Sequence, residues 1–131
     1  MSIPNARANQ ILDAIHGNTT LTATVGPLKC RFMTAVGSVT ANGTELATSG
    51  GYTSGTGAPT LTMATAATGS SASSGAVTVT NMPATTINGI EVWDSAGTPI
   101  RQEFGSLTVA KTTASGDTLS FATGAITSAL A

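Results

Sequence analysis

In Leu28-Lys29-Cys30-Arg31-Phe32-Met33-Thr34-Ala35, the residues Leu28, Cys30, Phe32 and Thr34 alternate with Lys29, Arg31, Met33 and Ala35. A strand turns successive side chains to opposite faces, so this period of two predicts a half-buried strand. The same period recurs downstream. Leu61 and Met63 alternate with threonines in residues 60–65, as Val77 and Val79 do in residues 76–80. Ile90, Val92 and Asp94 oppose Glu91 and Trp93, and the series continues through Phe104, Leu107 and Val109, then Leu119 and Phe121, then Ile126 and Leu130. The intervening threonines suit exposed strand positions, because a branched Cβ fits a pleated surface. Turn chemistry separates the runs at Asn42-Gly43, Asp94-Ser95-Ala96-Gly97 and Ser115-Gly116-Asp117,. The Gly/Ser-rich stretches 49–57 and 69–75 are expected to be loops. Short strands at intervals of about ten residues predict a mainly β chain, a single jelly-roll-like β-sandwich of short antiparallel strands over residues 18–131.

Upstream the period changes. Ile3, Ile11, Leu12 and Ile15 fall on one stripe at helical spacing, which predicts an N-terminal α-helix over residues 1–17 packed on the same domain,. Ser2 is expected as its N-cap, Pro4 sits in the first turn, and Gly17 suits the left-handed residue that ends a helix. Arg7 and Asp13 are expected to face solvent.

Composition narrows the function. Ala, Thr, Ser and Gly make up more than half of the 131 residues. Only 8% are charged, against roughly 25% in an average globular domain,. Five basic residues and a net charge of −1 cannot make the dense cationic surface that phosphate binding needs, so no nucleic-acid partner is expected,. No apolar run reaches the ~18 residues of a membrane-spanning helix, and no secretory signal pattern opens the chain. One cysteine and one histidine exclude the usual zinc clusters, and no metal or cofactor is expected,.

No catalytic residue is assigned. His16 falls at the helix end, where a cation favours the dipole. Cys30 falls on the apolar side of its strand as a small hydrophobe. Asp13, Glu45, Glu91, Asp94, Glu103 and Asp117 are dispersed and form no calcium-loop pattern,. Tyr52, after Gly50-Gly51, is expected to anchor a loop on the sandwich. Trp93 stands out in a chain with five aromatics, and with Ile11 and Leu12 it is expected at an interface; a tryptophan that stacks on carbohydrate is the sharper alternative,.

Ala8-Asn9-Gln10-Ile11-Leu12-Asp13 opens a succession of short motifs. Phe32-Met33-Thr34-Ala35, Gly43-Thr44-Glu45-Leu46 and Gly50-Gly51-Tyr52 follow, then Asn88-Gly89-Ile90-Glu91-Val92-Trp93-Asp94. Gly105-Ser106-Leu107 and Gly116-Asp117-Thr118-Leu119-Ser120-Phe121 close it. In this order the motifs resemble a family of small virion structural proteins of tailed bacteriophages, often labelled tail fibre or minor structural proteins. The resemblance spans nearly the whole chain, and its motifs are short and non-catalytic. It implies a non-enzymatic virion protein, assembled in the host cytoplasm.

Ile, Leu, Val and Phe are few, so the core is thin, and oligomerisation is the usual remedy. The favoured expectation is a capsid decoration protein that binds the major capsid protein on the outer head surface as a homotrimer. The second is a tail or tail-fibre component with a host-adhesion role, and the third a carbohydrate-binding module.

Overall fold

Strand β1 (Leu28–Ala35) lies at the centre of the largest sheet in the computed structural model, which describes residues 1–130. β1 pairs antiparallel with β6 (Thr85–Trp93), placing Cys30 opposite Val92 and Phe32 opposite Ile90. β6 in turn pairs with β7 (Arg101–Thr113), and β1 also carries the two-residue strands β2 (Thr44–Glu45) and β3 (Thr60–Leu61). Two ribbons complete the chain: β5 (Val77–Met82) with β8 (Asp117–Phe121), and β4 (Ser70–Ala72) with β9 (Thr127–Ala129). The fold is mainly β, sandwich-like, with unclosed antiparallel sheets.

The alternation read in the sequence explains the layers. Val77, Val79, Leu119 and Phe121 point inward from the β5–β8 ribbon and meet Cys30, Phe32, Ile90 and Val92 from the large sheet. Phe32 stacks on Tyr52 at 5.1 Å and meets Phe121 edge-on at 5.7 Å. Outward, Thr78 and Ser120 share a hydroxyl hydrogen bond of 2.7 Å, as Thr86 and Thr112 do at 2.9 Å. Such cross-strand polar pairs are how a Thr-rich face supports a sheet.

Three expectations are corrected. The stretch 69–75 is not a loop: Ser70–Ala72 forms β4, entered by a tight turn in which Ala67 and Ser70 bridge. Thr68 (φ 50°) and Gly69 (φ 76°) supply the two left-handed residues of that turn,. The helix α1 covers Asn5–Ile15 only, because Pro4 is extended and Ser2 pairs with Phe104 at the edge of β7 instead of capping. Finally, Arg7 is the buried residue of α1, while Leu12 is 51% and Ile15 72% exposed. Gly17 does take the left-handed conformation, at φ 74°.

Candidate functional site

The polar layer of the large sheet begins with β6. Because β6 is covered on both faces, Glu91 is as buried as its neighbours Ile90 and Val92. One Glu91 oxygen, Oε1, accepts from Arg101 Nη1 at 2.9 Å and from the Gly43 N–H at 2.7 Å; Oε2 accepts from the Trp93 indole at 2.9 Å. Arg101 also donates to the carbonyls of Ala41 (2.9 Å) and Ser38 (2.7 Å), and packs over the Phe104 ring. One ion pair therefore ties the 36–43 connection down onto the sheet.

Beside it, the Arg31 guanidinium lies 4.1 Å from the centre of the Trp93 ring and 3.5 Å from Glu45. Glu45 Oε1 accepts from the Tyr52 hydroxyl and from the Gly55 N–H, both at 2.8 Å. The Tyr52 hydroxyl accepts from the Phe32 N–H at 3.1 Å. Tyr52 thus anchors its loop, as expected. Gly51 makes this dip possible: a Cβ there would sit 1.9 Å from the Thr80 carbonyl oxygen. Burial pushes the Tyr52 hydroxyl above its ordinary range, while the Phe32 N–H pulls the other way,.

The groups able to do chemistry are dispersed. Burial pushes the Cys30 thiol up to about 12, which leaves essentially no thiolate near neutral pH,. His16 is exposed just past α1. Asp94 closes its turn by accepting from the Ala96 and Ile100 N–H groups and from Gln102. Glu103 accepts from Ser128, and Asp117 from the Ala114 N–H. Among the described residues, no three of His, Cys, Asp and Glu converge as a metal site would require.

The second region lies under α1. Arg7 donates to Gln10 Oε1, to the Thr22 carbonyl and to Thr24 Oγ1, at 2.9–3.0 Å, and so ties the helix to the extended segment that follows it. Between helix and sheet an open groove of about 270 Å³ remains, lined by apolar side chains including Ile3, Ile11, Leu28, Met63 and Val92. The three residues expected at an interface therefore separate: Ile11 lines the groove, Leu12 points to solvent, and half-buried Trp93 is engaged by Arg31 and Glu91. The sequence reading missed Glu91, Arg101 and Arg7. The signal for Glu91 was a charge set inside an otherwise apolar run, 90–93.

A family model described as Podophage GP4 fiber I protein gp80 matches residues 2–129. No curated protein matches the chain.

Proposed function

We propose, from the premise that this chain belongs to the family of the podophage GP4 fiber I protein gp80, that it serves in the fibre apparatus of a tailed phage rather than as a decoration of the head. Membership makes it a virion structural protein. The single observation that carries the choice of fibre over head is the family description, which applies to 128 of the 131 residues, 2–129. In this reading the chain is non-enzymatic, needs no cofactor, and acts through protein contacts, first with copies of itself as a trimer and then with other virion proteins. One observation supports a scaffold role: the buried side chains of Glu91, Asp94, Arg101 and Gln102 are bonded to one another or to backbone. Glu91, Asp94 and Arg101 hold loops in place and turn no reactive group toward a ligand.

Copy number and position test the proposal. Purified particles are quantified for this chain against the major capsid protein, and gold-labelled antibody locates it. A fibre component is expected in tens of copies or fewer, with label confined to the tail. Hundreds of copies spread over the head would overturn the fibre reading in favour of capsid decoration.

A further inference from the structure

Helix α1 presents two unlike faces. Arg7 and Ile11 face the groove of about 270 Å³. Leu12 and Ile15, which neighbour each other at i, i+3, face solvent from a side of the helix roughly 90° away,. Leu21 (40% exposed) and Val25 (47% exposed) lie on the segment that Arg7 ties to the helix. α1 has no side-chain N-cap, no acid in its first turn and no base in its last, so it has little stability of its own,.

We propose that a second copy of this chain covers this surface, with Leu12 and Ile15 of one copy seated in the groove beside α1 of the next. The inference names the contact for the homo-oligomer of the preceding section and rests on that reading. Size is the first argument. An apolar cavity of roughly 150 Å³ takes up a benzene-sized group of six carbons, so a groove of about 270 Å³ has room for the eight side-chain carbons of Leu12 and Ile15,. Area is the second. Leu12, Ile15, Leu21 and Val25 together present roughly 400 Å² of apolar surface, close to the apolar share of what one partner buries in a standard interface.

Charge is the third. The polar groups around the groove are used inside the chain: Arg7 on Gln10, Thr22 and Thr24, Gln102 on Asp94 and Ile100, Glu103 on Ser128. Arg7 and Glu103 both line the groove, and their opposite charges offset each other, so it carries no net charge to draw a charged partner, and another copy, at net charge −1, meets little repulsion,. Because knob and groove lie on different sides of α1, a copy that inserts its knob keeps its own groove free for another. This is a head-to-tail geometry, which forms a ring where the rotation between copies closes and a filament where it does not.

Two measurements test the contact. Light scattering compares the wild-type mass with that of the Leu12→Asp/Ile15→Asp double variant. Separately, a Leu12→Cys variant is mixed with a Ser71→Cys variant under mild oxidation, Ser71 lining the groove and Cys30 being buried. The wild type is expected as an oligomer and the double variant as a folded monomer with an unchanged circular dichroism spectrum, melting at or below the wild-type temperature. A cross-linked dimer is expected to form in the mixture and not between copies of Ser71→Cys alone. An oligomer that persists in the double variant, or a mixture without cross-link, overturns the contact. A wild type monomeric up to roughly 100 μM overturns the contact and the homo-oligomer together. The fibre reading stays separately decided by copy number and position on the particle.

Discussion

Glu91 spends both carboxylate oxygens inside the fold, on Arg101, Gly43 and Trp93. Removing one partner of a buried pair costs more than the pair contributes, because the other charge is left desolvated and alone. Glu91→Gln is therefore expected to lower stability by ~3 kcal/mol and to free the 36–43 connection, read by urea denaturation and by hydrogen exchange at Ser38–Gly43. A loss below about 1 kcal/mol would show that the pair is not the clamp. Cys30 gives a pH signature. Its thiol is raised from an ordinary 9.0 to about 12, so the unfolded chain releases that proton first as pH rises. The native state then binds more protons than the unfolded state, and stability falls between pH 9 and 12. Cys30→Ala is expected to be less sensitive to alkali over that window; an identical pH profile in both proteins would refute the assignment. Neither feature was fully legible in the sequence. The alternation around Cys30 did place its side chain correctly. Trp93 is two residues from Glu91, but the clamp partners Arg101 and Gly43 lie 10 and 48 residues away, at separations where no local pattern speaks.

At the scale of elements, legibility followed side-chain size. β1, β5 and β8 each carry apolar residues at alternate positions (Leu28, Cys30 and Phe32; Val77 and Val79; Leu119 and Phe121), and they form where the period put them. β4 is Ser70-Ser71-Ala72, which offers no apolar signal, and its turn uses Thr68-Gly69 in place of the familiar Asn-Gly,. A β-branched residue at φ 50° is costly, since only Gly, Asn and Asp visit that region readily,. Thr68→Asn should thus stabilise the protein by ~0.5–1 kcal/mol, measured by thermal melting; a destabilised variant would mean that the Thr68 hydroxyl, bonded to the Ala67 carbonyl, matters more than the backbone,. The helix was misread for a different reason. Its apolar stripe predicts a helix packed on the domain with Ile11 and Leu12 at an interface, yet α1 is tied down through Arg7, a residue expected to face solvent. Periodicity reports which side chains share a face and says nothing about what covers it. Arg7→Met is expected to release α1 at a lower temperature than the sheets, with helical circular dichroism lost first. A single coincident transition would show that the helix is held by its apolar contacts instead.

For the whole molecule, the scarcity of charge governs how it can associate. Arg7, Arg31 and Arg101 direct their guanidinium groups to partners within the chain, and with a net charge of −1 there is little left to steer a partner from a distance,. In the homo-oligomer proposed above, association then rests on burial of apolar surface, of which the α1 side offers Leu12, Ile15, Leu21 and Val25. Burial and ion pairing respond to conditions in opposite ways. Screening by salt weakens exposed ion pairs, since the Debye length shrinks from ~10 Å at 0.1 M to ~3 Å at 1 M. Apolar burial is indifferent to simple salt at these strengths, gains from sulfate, and weakens on cooling. The dissociation constant of the oligomer is accordingly expected to change less than about threefold between 0.05 and 1 M sodium chloride, to tighten in sulfate, and to loosen toward 4 °C, as followed by sedimentation at each condition. Dissociation in moderate salt would instead place charged side chains at the interface. The remaining charged surface, Lys29 and Lys111 with the exposed acids Asp13 and Asp117, would then be where to look for it.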